Sequence, residues 1–497
     1  MTAVSWEPMP FPQRSVPLGE VLAGRPPTRP AFTIEPVTIE PATIEPATIE
    51  PATRAGLAEY HELRRAAFVD GYGLFSRHDR DARDDDPRLV VLLARDRRGT
   101  VLGGVRLGPV TDTDIGWWFG GRLVVSPAGQ RAGGVGAALV RAAQAHAETA
   151  GVLRFEAEVR AAATTFFTRL GWTPVRPCTV AGQPHTVMRA PIARLAAHAR
   201  VKTPLGVLLG GLHPGGPGFV GDDGAPVPGS DLVAACDAIL PAMVERDPEW
   251  AGWCSVLVNV NDLAAMGAQP VGLLDAVAGP GVDTVAAALR GLRAAAAAYG
   301  VPVLGGHTQL GVPAALSVTA LGRTSSPVPG GGGRPGHELR LTADLGGGWR
   351  PGYTGRQWDS TSNRHPSDLQ TMIGAVRTAR PAAAKDVSMA GVAGTLGMLA
   401  EASGCAAVLD VAAVPRPGAA TMGDWLTCFP GFAMATAAPP GAPALPAGPA
   451  VGAVCGELVA GAGVRLRWPD GELTEAVPAA VTGLGPASPE HTRGVSG

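Results

Sequence analysis

Hydrophobic and polar positions follow several different rhythms along this chain, and each rhythm predicts its own kind of structure. Residues 33–53 read TIEPVTIEPATIEPATIEPAT, a five-residue repeat with proline in every unit. Proline at that density denies donors to helix and ladder alike, so an extended spacer is predicted and residues 1–53 are read as a tail outside any fold. From Arg54 the texture is that of strands alternating with helices. RLVVLLARD (88–96) and TVLGGVRLG (100–108) are apolar runs joined by an Asp-Arg-Arg-Gly turn, GRLVVSP is a third strand, and AALVRAAQAHAETAG is an amphipathic helix closed by Gly151. A second region, from Lys202, ends in the strand AALSVTALGR; TSSPVPGGGGRPG (324–336) is a linker by composition, and a third region runs to about Leu484. The predicted fold class is α/β (α+β), with units at 54–195, 202–325 and 335–485.

Composition narrows the functional classes. A chain of 497 residues, 46% of them hydrophobic, is long enough for two or three cores. With 41 Lys+Arg against 43 Asp+Glu and no dense basic block, the footprint of a nucleic-acid binder is missing. The start, MTAVSWEPMPFPQRSVPLGE, has no basic and apolar targeting pattern, and no later run suits a membrane span, so a cytoplasmic protein is expected. Six scattered cysteines without a Cys-x-x-Cys pair read as buried thiols in a reducing compartment.

Candidate chemistry appears first in RLVVSPAGQRAGGVGAALVRAAQAHAETAG, which runs strand, glycine-rich turn, helix. Backbone N–H groups around Gly133, Gly134 and Gly136 can converge at the start of the helix, where the dipole favours an anion such as a pyrophosphate. A plain strand-to-helix turn is the alternative. The stretch resembles the acyl-CoA-binding motif of GCN5-related N-acetyltransferases, with Arg131, Gly134 and Gly136 in the Arg-x-x-Gly-x-Gly positions. LRFEAEV and AATTFFTRLGWTPV resemble that family's next strand and helix. The resemblance implies an acetyl-CoA or other acyl-CoA site that also involves Val125, Val135 and Ala137. The family's frequent thiolate-protonating tyrosine falls at Phe167, which has no proton to give. No general base can be read from the sequence: Glu156 and Glu158 share one face of their strand without any sign of which face that is, while His78 and the RDARDDD acids (80–86) read as a solvated loop.

The remaining motifs are acidic. GDDGA (Asp222, Asp223), ACDAIL (Asp237), VNVNDLAAMGAQP (Asn261, Asp262), GGHT (Gly305, Gly306, His307, Thr308) and KDVSMAG (Lys385, Asp386) follow in order. Each acid sits at or beyond an apolar, strand-like run, and converging carboxylates are what a hard cation shared with phosphate oxygens requires. Taken singly, each is a turn or cap; NDLAAMG opens a helix that Asp262 could cap. The ordered set resembles the ATP-binding superfamily of aminoimidazole ribonucleotide (AIR) synthase, which includes thiamine-monophosphate kinase, selenophosphate synthetase and a hydrogenase maturation protein.

That resemblance implies a homodimer with ATP across paired sheets and Mg²⁺ on Asp222, Asp223, Asp237 and Asp262. A phosphate-covering loop would include Gly215 and Gly216; Asn261, Gly305, Gly306 and Thr308 would stand at the nucleotide, and His307, Lys385 and Asp386 in catalytic positions. No cysteine lies between Cys178 and Cys236, which argues against a selenophosphate synthetase. The polar stretch YTGRQWDSTSNRH (353–365) is read as a substrate-facing surface loop. Two function classes follow: a bifunctional enzyme that acylates and ATP-activates a small nitrogenous metabolite, or a sensor or scaffold that binds ATP and CoA without turnover. A protein with only its ATP domain active lies between.

Overall fold

A computed structural model describes residues 48–212 and 214–487. The first unit is a seven-stranded sheet: β1 (Thr48–Pro51), β2 (Val90–Arg95), β3 (Val101–Pro109), β4 (Trp117–Val125), β5 (Arg154–Arg160), β6 (Thr173–Val180) and β7 (Gln183–Arg189), in the order β1-β2-β3-β4-β5-β7-β6. The last proline-containing repeat, expected in the extended tail, is the edge strand β1, where a missing N–H is tolerated. Helix α1 (Arg54–Arg65) follows, with Thr53 as its cap: Thr53 Oγ1 accepts from Gly56 N–H at 3.2 Å. Helix α2 (Val135–Thr149) buries Leu139, Val140 and Ala143 against the sheet, and α3 (Thr164–Arg169) precedes β6.

Strands β4 and β5 are parallel and pair only through Trp117–Gly120 against Arg154–Ala157. Beyond Gly120 and Ala157 they part. On β4 an extra residue opposite Gly104–Arg106 puts Arg122 at φ 52°, a bulge that turns the strand away from its neighbour. The wedge between the strands opens into a cavity lined by residues of both.

Helix α4 (Arg194–Ala199) leads into the second unit, a five-stranded sheet of β8 (Ala225–Pro226), β9 (Leu232–Ile239), β10 (Gln269–Gly279), β11 (Val303–Leu310) and β12 (Ala315–Arg323), ordered β11-β10-β12-β9-β8. Helices α5 (Pro248–Ala265) and α6 (Val282–Ala298) cover one face. Both glycines at their crossing are required, since a Cβ on Gly291 would lie 1.8 Å from Glu249 O and one on Gly252 would lie 1.9 Å from Ala288 O. The other face is open and carries Leu274 and Leu304, 41% and 57% exposed.

The segment expected as strand, then capped helix, is instead the continuous C-terminal half of α5. It is buried all round, so an apolar run there has no stripe to distinguish helix from strand. Asp262 therefore lies in the last turn and does not cap a helix start.

The third unit has a seven-stranded sheet, β13 (Glu338–Ala343), β14 (Ala383–Asp386), β15 (Ala406–Asp410), β16 (Ala433–Ala438), β17 (Val451–Val459), β18 (Val464–Arg467) and β19 (Leu473–Val477), in the order β14-β16-β13-β17-β15-β18-β19. Helices α7 (Pro366–Ala379), α8 (Gly391–Ala402) and the short α9 (Met422–Thr427) accompany it.

Two surface expectations are corrected here. Residues 324–336 do not form a free linker: Val328 N–H donates to Met266 O, and Gly330, Gly331 and Gly333 are buried. In the 353–365 stretch, Tyr353, Gln357, Trp358 and Thr361 are buried as well. Trp250 Nε1 donates to Gln357 Oε1 at 2.7 Å and Trp253 Nε1 to Thr361 Oγ1 at 3.2 Å, so polarity there is spent on ties between the second and third units. Nor are all the thiols buried: Cys236 is exposed on β9 and Cys178 is half-buried. No helix among the described residues is long and apolar enough to cross a membrane.

The first unit is clamped onto the third. Arg154, 1% exposed at the start of β5, donates to both carboxylate oxygens of Asp470 at 2.9 Å and to Glu472 at 2.6 Å, with its guanidinium 4.0 Å from the centre of the Trp117 ring. Arg189 joins Glu156 to Glu472 beside it, and Arg194 of α4 pairs with Asp424. Arg154→Ala would leave these acids half-compensated, and a loss of about 3 kcal/mol is expected, read as a lower midpoint in chemical denaturation.

Candidate functional site

The acids gather where the second and third units meet. One carboxylate oxygen from each of Asp223, Asp262 and Asp386 lies within 4.8 Å of the others. Three remote segments deliver them: the turn before β8, the last turn of α5 and the end of β14. Backbone and lysine contacts fix the first of these. Asp386 N–H donates to Asp223 Oδ2 at 2.9 Å, and Lys385 Nζ donates to Asp223 Oδ1 at 3.0 Å and to Gly221 O at 2.9 Å. Asp222 takes the N–H of Gly330 on Oδ2 at 2.9 Å and lies 3.6 Å from Lys385 Nζ through Oδ1. A Cβ on residue 330 would come within 2.4 Å of that Oδ1 and 2.8 Å of Lys385 Cε, so a larger residue would displace both side chains.

Like charge is crowded in this cluster. Burial, then repulsion from Asp386, Asp237 and Asp223, raises the Asp262 carboxyl well above the usual range; burial, then Asp223 and Asp237, does the same for Asp386. Asp222 is pushed up to about 6, because burial outweighs the attraction of Lys385. Burial disfavours the charge of Lys385 too, but Asp223 and Asp222 overcome it and hold the ammonium above its ordinary value. Asp386 Oδ2, Asp222 Oδ1 and Asn261 Oδ1 are buried with no hydrogen-bond partner. All are hard oxygen donors, the set a divalent cation such as Mg²⁺ prefers.

These raised groups give a pH prediction. A carboxyl whose folded pKa exceeds its unfolded value contributes stability that is complete below the unfolded pKa and is lost as pH rises through the folded one. For Asp222 the window runs from its ordinary 3.8 to about 6. Asp222→Asn does not titrate, so across that window its stability should rise by about 3 kcal/mol relative to the parent, measured by denaturation at a series of pH values without divalent ions.

The other proposed residues are spread widely. Asp237 is exposed on β9; its N–H donates to Asn259 Oδ1 at 3.2 Å, and it faces a small cavity of about 120 Å³ with Lys202, Ser388 and Phe429. Asn261 donates to Gly431 O at 2.7 Å. Gly215 and Gly216, both at positive φ, lie in the turns leading to Gly221. Gly305, Gly306, His307 and Thr308 lie exposed on the edge strand β11, three places from the β9 strand that carries Asp237.

A second site occupies the wedge in the first unit, a cavity of about 680 Å³. Val125 and Gly136 line it, and Gly134, at φ 69°, precedes α2 without a side-chain cap, at the end where a helix's first N–H groups have no intrahelical partner. Val135 is buried at that start, Ala137 half-buried, and Arg131 exposed one turn earlier. Glu156 is committed to Arg154 and Arg189, whereas Glu158 lines the cavity. Phe167 also lines it, packed edge-on to Trp172 at 5.2 Å.

Sequence reasoning missed Tyr72, Arg83, Arg160 and His185 on this wall, and Gly330 at the acids. Of these only Arg160 had a local signal, two residues beyond Glu158 on an alternating strand.

Both sites fall inside recognisable families. Residues 221–324 match the AIR synthase related protein N-terminal domain, residues 334–469 match the AIR synthase related protein C-terminal domain, and residues 87–174 match the acetyltransferase (GNAT) domain. "Uncharacterized protein sll0787" of Synechocystis sp. is 36% identical over 221 residues, 43% of this chain and 68% of the relative. The chain belongs to the AIR synthase-related family and carries a GNAT domain ahead of the two AIR synthase-related domains. Thiamine-monophosphate kinase of Caulobacter vibrioides is 31% identical over 211 residues, 39% of this chain and 59% of that protein, so the chain spans about three fifths to two thirds of these relatives. A solved structure, AaThiL complexed with AMPPCP and TMP, is 20% identical over 51% of this chain and 89% of that one, with a TM-score of 0.41.

Proposed function

We propose a two-site enzyme: ATP-dependent phosphorylation or activation of a small nitrogenous metabolite at the acid cluster, and acyl transfer from acyl-CoA to an amine in the wedge. The observation that carries the first half is the buried meeting of Asp223, Asp262 and Asp386 with unpartnered oxygens beside them. In this reading those three hold Mg²⁺, with Asp237 at the mouth. Bound with ATP, the ion would offset phosphate charge. Lys385 and the Gly330 N–H then serve as positioning groups, keeping Asp223 and Asp222 in place. The likeness to a thiamine-monophosphate kinase supports an ATP-dependent reaction.

A homodimer completes the reading. The open sheet face with Leu274 and Leu304 suits a second copy, and GGHT on its edge would then reach the partner's nucleotide.

In the wedge, the N–H groups of Val135 and Gly136 suit the pyrophosphate of CoA. The acceptor nitrogen attacks the thioester carbonyl, the C–N bond forms, the C–S bond breaks, one amine proton passes to Glu158, and the thiolate leaves. Phe167 cannot protonate it, but Tyr72 and His185 line the same cavity and carry protons. Calorimetric titration of Mg-ATP and of acetyl-CoA into the full chain tests both halves. Saturable binding of each is expected; failure of Mg-ATP to bind would remove the first half, and failure of acetyl-CoA the second.

A further inference from the structure

From the charge layout of the wedge we infer that its acyl acceptor is an anionic primary amine, recognised through Arg160 and Arg83, with Glu158 facing the nitrogen. The inference rests on the acyl-transfer reading above and adds the chemical class of its substrate.

Most charge around the cavity is already spent. Arg64, Arg106 and Arg122 are matched to Asp79, Asp81 and Asp84 in a closed network, with contacts of 2.6–3.3 Å. Two lining cations stand outside it and make no ion pair among the described residues. The Arg160 guanidinium lies over the Tyr72 ring at 3.9 Å, and that of Arg83 over Phe119 at 4.2 Å. Stacking fixes the plane of a guanidinium while leaving its N–H fork unused, which is the arrangement that receives a carboxylate or phosphate edge-on.

Glu158 is the one lining carboxylate outside an ion pair among the described residues. It shares a strand face with Arg160, and residues two apart on a strand are about 6–7 Å apart. An ammonium and an anion separated by a few bonds span that gap. The two cations hold different places around the cavity: Arg83 stacks on Phe119 of β4, and Arg160 stands across the wedge from the CoA phosphate. CoA phosphate would address the start of α2, beyond β4, whereas Arg160 is on β5 across the wedge. Two uncommitted cations against one carboxylate leave the cavity lining positive, and an anionic acceptor offsets it.

The test is initial-rate thiol release from acetyl-CoA by the full chain with paired acceptors: glycine and L-glutamate against glycinamide, and phosphoethanolamine against ethanolamine. At least one anionic amine is expected to exceed its neutral counterpart in kcat/KM by about tenfold, and the carboxylate and phosphate pairs tell the two anions apart. In the double variant Arg83→Gln/Arg160→Gln the preference should shrink to about twofold through a rise in acceptor KM, with acetyl-CoA affinity retained as proof of a folded domain. Equal use of charged and neutral amines overturns the inference alone. So does a double variant that keeps its preference, or one that loses acetyl-CoA binding while remaining folded by circular dichroism, which would assign the arginines to CoA. Bound acetyl-CoA with no amine of either kind acylated overturns the inference together with the acyl-transfer reading.

Discussion

Asp262→Asn is expected to weaken Mg-ATP binding by about a hundredfold while making the ligand-free protein more stable, two effects of opposite sign from one atom. The reason is the crowding of like charge. Asp262 is buried in the last turn of α5 with Asp386, Asp237 and Asp223 raising its carboxyl pKa. An amide of the same shape relieves that repulsion when no cation is present, so the melting temperature should rise. It also removes one of three converging carboxylates, so the nucleotide complex should suffer. A purely structural aspartate would behave otherwise: its loss would lower stability and leave binding alone. Titration calorimetry and thermal melting of the same variant separate the cases.

Lys385→Met should be the most destabilising single change at this site, with a loss of about 5 kcal/mol without divalent ions. Lys385 is 1% exposed, and it is the cation facing Asp222 and Asp223, whose side chains are 0% and 11% exposed. Removing it strands two buried carboxylates and the Gly221 carbonyl together. Arg154 differs in degree, because Asp470 and Glu472 keep 30% and 24% of their side-chain surface in water. Denaturant melts of the two variants side by side should rank them in that order, and added Mg²⁺ should recover part of the Lys385→Met loss but none of that from Arg154→Ala.

How much of this was legible depended on whether a signal was local. Strands β2 and β3 announced themselves by apolar runs on either side of a tight turn, and α2 by a stripe ended at Gly151. The order of the acidic motifs was equally readable, as residues. What the chain does not print is their meeting: Asp262 and Asp386 are 124 positions apart, and nothing local to either says which of the four other motif acids it faces. Composition misled where tertiary contacts override it. The 353–365 stretch is polar because Trp250 and Trp253 need buried acceptors. The α5 run looked strand-like because a helix buried on all sides has no polar stripe to betray its period.

The glycine run at 330–333 bears on any attempt to divide this chain in two. By composition it is the obvious place to cut, between the two AIR synthase-related domains. Yet added Cβ atoms there would lie 2.4 Å from Asp222, 2.5 Å from Ala402 O, 1.9 Å from Ala382 O and 2.4 Å from Leu458. The run is a seam sewn through both halves, and severing it would assign Asp222 to one fragment while casting its backbone donor loose. Separately expressed halves would each inherit an incomplete set of acids.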